Sequence, residues 1–132
     1  MRTETDVQNV SVLAIETAGG SALRNNSGCL PNPETGVPVR FGLGNISEKF
    51  NRDFKTGDYI GIYRGLFCMW EFKRPLWVWS GTEHERAQWN AIKWARAYGG
   101  RAGFVTHPDE AVAVMLGVTH NGRSAFGAYN GR

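Results

Sequence analysis

The amino-acid sequence predicts an α/β fold in which helices flank a central mixed β-sheet, and three observations carry that expectation. Apolar residues recur at helical spacing near the start, over 83–98 and over 108–117. An apolar hairpin, Tyr59 to Phe72, turns at Arg64-Gly65 in the middle of the chain. A short apolar strand, Ala102 to Thr106, separates the last two helices. The element order is α, one or two strands, hairpin, α, β, α.

Each element has a local cause. Thr3 fits an N-cap, and Glu4 and Asp6 complement the dipole of the helix that follows. Val7, Val10, Ala14 and Ala18 keep the helical period until Gly19-Gly20 stops it. Residues 21–28 hold a short strand that runs into a Pro-, Asn- and Gly-rich loop. Val37 to Leu43 reads as another strand, with Val39, Phe41 and Leu43 on one face. Residues 44–57 are polar and read as a loop long enough for function or mobility. After the hairpin, Arg74-Pro75 ends the strand, because proline cannot donate to the ladder. A helix fits Glu83 to Tyr98, capped by Gly99-Gly100, with Gln88, Ile92, Ala95 and Gly99 in one stripe. Pro108-Asp109-Glu110 opens the last helix and Gly117 closes it. The domain therefore spans residues 1–117, and the Gly-rich segment 118–132 reads as a frayed or loosely docked tail.

With 132 residues and five tryptophans, the chain is a single domain able to bury a core without disulfides or a structural metal. A net charge of +3 permits a polyanionic partner without requiring one, and the basic residues are scattered rather than run together. Cys29 and Cys68 are far apart, and Cys68 packs mid-strand as a small hydrophobe. No Cys-x-x-Cys pair or Cys/His cluster has zinc spacing, and His84, His107 and His120 share no ligand spacing, which leaves them surface or capping roles. The polar start, Met1 to Asp6, carries no signal segment, and no stretch approaches membrane-spanning length. A soluble protein of a reducing cytoplasm with no membrane partner is the expectation.

The hairpin holds the chemistry. With a two-residue loop at Arg64-Gly65, Tyr63 faces Leu66, Ile60 faces Met69, and Asp58 lands opposite Glu71. Opposed side chains in an antiparallel pair have Cβ atoms about 4.5–5.5 Å apart, and like charges there repel. Such carboxylates need a cation between them, or one must take up a proton. Lys73 projects to the same face as Glu71 by the period of two. A three-residue loop with a bulge at Gly65 would shift the pairing and turn Asp58 away. In the first register, an Asp–Glu pair with a lysine beside it suits metal-assisted attack of water on a phosphodiester.

Asp58 followed by Glu71-x-Lys73 resembles the PD-(D/E)xK nuclease superfamily, and the wider pattern is similar to its virus-type replication-repair nuclease (VRR-NUC) branch. The likeness runs in order through Thr3-Glu4-Thr5-Asp6-Val7-Gln8, Arg24-Asn25-Asn26-Ser27-Gly28, Val39-Arg40-Phe41-Gly42-Leu43 and Gly57-Asp58-Tyr59-Ile60-Gly61. It continues through Glu71-Phe72-Lys73-Arg74-Pro75, Glu85-Arg86-Ala87-Gln88 and Gly99-Gly100-Arg101-Ala102-Gly103-Phe104. The resemblance implies a restriction-endonuclease-like core of order α-β-β-β-α-β-α and a metal-dependent DNA endonuclease. It further implies a branched, flapped or junction substrate, a homodimer like the Holliday junction resolvases, and a bacterial or phage-infected host cytoplasm. Asp58 and Glu71 match the metal-binding acids, Lys73 the catalytic lysine, Gln88 the supporting helix glutamine, and Glu4 the acid on the first helix. Gly57 and Tyr59 depart from residues common in the family at those positions.

Mg²⁺ or Mn²⁺ prefers octahedral oxygen ligands, which Asp58, Glu71 and the Phe72 carbonyl would supply. Lys73 would orient water or neutralise charge in the transition state. Gln88 is equally an ordinary polar helix residue, and Glu4 on physical grounds alone is a helix-start acid. Arg24, Asn25 and Asn26 suit either turn chemistry or phosphate and sugar contacts, and Arg40 and Arg74 join them as DNA-binding candidates. Trp77 and Trp79 would stack on unpaired bases, build a dimer contact, or cover the core. The alternative to an enzyme is a non-catalytic DNA-binding or architectural module on the same core.

Overall fold

The computed structural model describes residues 2–118; Met1 and residues 119–132, which include His120 and nearly all of the expected tail, lie outside the described residues. The first helix, α1 (Glu4–Thr17), begins with a capping box: Thr3 Oγ1 accepts from the Asp6 N–H at 3.1 Å, and Asp6 Oδ2 accepts from the Thr3 N–H at 3.0 Å. Three short strands follow, β1 (Ser21–Arg24), β2 (Gly28–Pro31) and β3 (Pro38–Phe41), then a short helix α2 (Glu48–Asp53). The central hairpin is β4 (Tyr59–Tyr63) and β5 (Leu66–Phe72). Helix α3 (Glu83–Ala97), strand β6 (Arg101–Val105) and helix α4 (Pro108–Leu116) complete the chain.

The main sheet has the order β1-β4-β5-β6. Its first three strands are antiparallel and β6 runs parallel to β5, so the sheet is mixed as expected. A parallel neighbour needs a crossover, and α3 supplies it. Arg64 (φ 49°) and Gly65 (φ 81°) both lie in the left-handed region, which makes the hairpin a two-residue type I′ turn. The resulting register pairs Tyr59 with Trp70 and Tyr63 with Leu66. One step beyond Tyr59–Trp70, Asp58 stands opposite Glu71.

Three expectations need correction. The Val37–Leu43 strand forms as β3 but does not join the central sheet; it pairs only with β2, in a separate two-stranded ribbon. Val39 and Phe41 stay exposed there because no layer among the described residues covers them. Residues 44–57 are not wholly loop: Ser47 caps α2 by accepting from the Phe50 N–H at 3.1 Å. Gly99, expected in the buried stripe of α3, lies past the helix end at φ 88°.

The sheet carries a core on each face. Towards α1 and α4, Val7, Ile15, Trp70, Phe72, Val114 and Met115 are buried together, and the Trp70 indole donates to Ala111 O at 3.0 Å. Towards α3, Met69 and Phe104 pack on Ala91, Ile92 and Ala95. Alternation along β5 therefore sends Trp70 and Phe72 to one layer, and Met69, Glu71 and then Lys73 to the other. A carboxylate is thereby driven into the α3 side of the sheet, where only polar partners relieve its burial.

Candidate active site

The site begins where the chain enters β4. An added Cβ on Gly57 would lie 2.7 Å from Trp70 O, so only glycine lets the backbone run this close to β5. Asn25 clamps the same segment: its N–H donates to Asp58 O at 2.7 Å, and its side-chain amide donates to Gly57 O and Thr56 Oγ1, both at 2.9 Å. Asp58 is thus fixed at the backbone. Its Oδ2 accepts from the Phe72 N–H at 3.0 Å.

Glu71 is 5% exposed. Gln88, buried on α3, donates from Nε2 to Glu71 Oε1 at 2.6 Å and accepts at Oε1 from Lys73 Nζ at 2.7 Å. The second Nε2 hydrogen points at His84 Nε2, 3.0 Å away. That geometry assigns His84 a neutral ring with its lone pair on Nε2. One glutamine amide therefore joins lysine, carboxylate and imidazole, with every donor and acceptor used in a consistent sense. The Lys73 ammonium also lies 5.4 Å from the Trp77 ring centre and 5.6 Å from that of Phe104, on an aromatic floor. Asp58, Glu71, Lys73, His84 and Gln88, with Glu4, Lys55 and Thr56, line a cavity of about 270 Å³.

The charges interact strongly. Burial pushes the Glu71 carboxyl well above the usual carboxylate range, and the neighbouring Asp58 adds to the shift. Burial also raises Asp58, while the Phe72 N–H and the Lys73 charge oppose it. Glu4, at the cavity rim, is raised by burial of its carboxyl and then by Asp58. Burial, helped by Lys73 and Lys55, lowers His84, in keeping with its neutral role. The expected set of Asp58, Glu71, Lys73, Gln88 and Glu4 therefore meets at one cavity.

The DNA-binding candidates are dispersed around it. Arg24 and Asn26 line a second cavity of about 260 Å³ that shares Ser27 and Asp58 with the first. Arg24 is exposed, with its guanidinium 5.9 Å from the Tyr59 ring centre. The Asn25 side chain is taken up in the internal clamp. Arg40 donates to Asn45 Oδ1 at 3.1 Å and lines a third cavity, and Arg74 is exposed just after β5. Trp77 and Trp79 cover the core: their rings lie 4.9 and 6.1 Å from that of Phe104.

Three contributors had weak sequence signals. His84 sits four residues before Gln88, a helical spacing that places both on one face, but a lone histidine gives no reason to invoke it. Lys55 was one scattered cation among many. Glu85 completes a capping box with Thr82 and also binds Trp77 and Ser80, contacts that no spacing rule reveals. Among the described residues, no group of three or more His, Cys, Asp or Glu side chains is arranged to hold a metal ion. No family model and no curated protein matches the chain. Among the described residues no helix is long and apolar enough to cross a membrane.

Proposed function

We propose that the protein is a metal-dependent DNA endonuclease of the virus-type replication-repair kind, built on a restriction-endonuclease-like core. The observation that carries this reading is the opposition of Asp58 and Glu71 on one polar cavity, with Lys73 joined to Glu71 through Gln88. With β2, β3 and α2 set aside as an insertion between β1 and β4, the remaining order is α-β-β-β-α-β-α, which supports the core assignment.

The donor set suits a hard divalent ion. Two carboxyl groups crowd each other, and Lys73 Nζ is bonded to Gln88 rather than inserted between them. Asp58 and Glu71 would hold Mg²⁺ or Mn²⁺ as two oxygen ligands. The Phe72 carbonyl would be the third, since the N–H of this strand residue donates to Asp58 and its C=O shares that strand edge. The ion, when bound, polarises a phosphoryl oxygen and lowers the pKa of water. Lys73 neutralises charge growing on the phosphate, and Gln88 fixes where that ammonium stands. Glu4 adds a carboxylate at the rim.

A branched, flapped or junction DNA fits a surface that meets the backbone at dispersed cations. Exposed Leu23 and Ile62 on the β1–β4 side of the sheet support a homodimer. The test is a panel of duplex, single-stranded, flap and four-way-junction DNAs incubated with Mg²⁺ or Mn²⁺. Lys73→Ala and Glu71→Gln are expected to abolish cutting while the fold persists. Unchanged cleavage by either variant removes that residue from the mechanism, and binding without cutting by the parent protein assigns a non-catalytic DNA module.

A further inference from the structure

We infer that the cavity beside the acid site binds the phosphodiester next to the one being cut, using Arg40, Arg52 and Lys55. This rests on the nuclease reading above and adds the flank on which the strand is gripped. The cavity measures about 430 Å³ and shares Asn51, Lys55 and His84 with the acid site. A strand leaving the acid site has a second exit, over Ser27 and Asp58, but among the described residues that cavity offers a single cation, Arg24. The first exit offers three. Its wall also holds Glu48 and Glu83, so the formal balance is three positive minus two negative, a net of one positive charge. That balance suits a singly charged diester.

The cations are held in position by the inserted segment. Arg40 on β3 donates to Asn45 Oδ1 at 3.1 Å, and Asn45 is pinned by bonds to Gly28 O and Phe41 O, both at 2.8 Å. Lys55 Nζ donates to Asn51 Oδ1 at 3.3 Å. The segment is tied to the helix that carries Gln88: the Lys55 N–H donates to Ala87 O at 3.1 Å, and Asn90 donates to Asp53 O at 2.8 Å. The distance between grip and acid site is therefore set by α3. Arg52 faces Glu48 at 4.0 Å with both side chains well exposed, a pair weak enough to yield to a phosphate.

The experiment measures DNA binding by fluorescence anisotropy against salt in the Glu71→Gln protein, which isolates binding from cutting. Removing one cation from a phosphate lowers the slope of log K against log[salt] by about 0.7–0.9. Arg52→Ala and Lys55→Ala are each expected to show that decrease, with binding roughly five- to tenfold weaker at 0.1 M salt. Arg64→Ala, at the far end of the hairpin, is expected to change nothing. Single methylphosphonate linkages then locate the gripped phosphate. Neutralising the linkage beside the scissile one should weaken Glu71→Gln binding, and Arg52→Ala should weaken it no further there. If both variants keep the parent slope while the wild-type protein cuts DNA with Mg²⁺, the grip is overturned and the nuclease reading stands. If neither binding nor cutting is seen in the parent proteins, both fall. Matching circular dichroism spectra and melting temperatures of the variants exclude unfolding as the cause.

Discussion

Glu85 is the most informative residue to perturb, because one carboxylate holds the loop that builds the floor under Lys73. Its Oε1 accepts from the Ser80 N–H (3.0 Å), the Ser80 hydroxyl (2.8 Å) and the Thr82 N–H (3.1 Å), while Oε2 accepts from the Trp77 indole at 2.9 Å. Burial alone would raise its pKa, but these donors bring it down to about 2 from an ordinary 4.5. That difference corresponds to at most roughly 3 kcal/mol of folding free energy. The carboxylate lies under one surface loop, so solvent screening reduces this to about 2 kcal/mol. In Glu85→Gln, the amide oxygen keeps the Oε1 contacts, but an N–H then faces the Trp77 indole N–H. The expected cost is about 2 kcal/mol, or a fall in Tm on the order of 6–10 °C, read by thermal and urea denaturation. Trp77→Phe removes the conflicting donor, so Glu85→Gln should cost about 1 kcal/mol less in that background. The sign with pH follows: the folded-state pKa is depressed, so the contribution is present above pH 4.5 and lost as pH falls towards 2. A Glu85→Gln cost below about 0.5 kcal/mol, or strict additivity with Trp77→Phe, refutes the reasoning.

Four further outcomes follow from the site and the sheet. Glu71 has a raised folded-state pKa, so its contribution is present below pH 4.5 and lost as pH rises; in metal-free buffer at pH 7.5 Glu71→Gln should therefore melt above wild type. Saturating Mg²⁺ or Mn²⁺ should then stabilise the wild-type protein by about 2.7 kcal/mol at a hundredfold excess over Kd, with little effect on Glu71→Gln; equal metal responses in calorimetry would contradict the assigned ligands. Gln88→Leu breaks the bridge between Lys73 and Glu71 and should cut cleavage roughly 10- to 100-fold in single-turnover assays, with KM changed less than kcat. Gly61→Ala drives a Cβ into the Ser21 carbonyl oxygen and should detach β1 from β4, costing on the order of 3 kcal/mol in denaturant titration.

The register of Asp58 and Glu71 was legible because two local rules agreed. Arg64-Gly65 lies midway between two apolar runs, and a two-residue turn sets all later pairings by counting. The positive φ at Arg64 was the costly part of that reading, since a non-glycine residue there has to be held by the strands on either side. Helices α1, α3 and α4 were equally plain, because Thr3 and Pro108-Asp109-Glu110 mark two of their starts and apolar spacing from Glu83 marks the third, whereas α2 is too short to show a period. Signals failed where partners come from distant parts of the chain. Nothing local told Val37–Leu43 that the sheet edge was taken: β1 occupies the flank of β4, and β3 pairs instead with a strand written as Gly-Cys-Leu-Pro.

The same division explains the site. The carboxylate pair follows from chain geometry within fourteen residues, whereas the lysine–glutamine–histidine chain requires α3 to cross over and return on the correct face. Burial of Glu71 turns that crossover into chemistry. A carboxylate on a solvent-facing strand end would need no partner, and Gln88 would be one polar helix residue among several. Placed under α3 and opposite Asp58, Glu71 demands a donor on one oxygen and a cation near the other. Gln88 satisfies the first need and fixes Lys73 beside it.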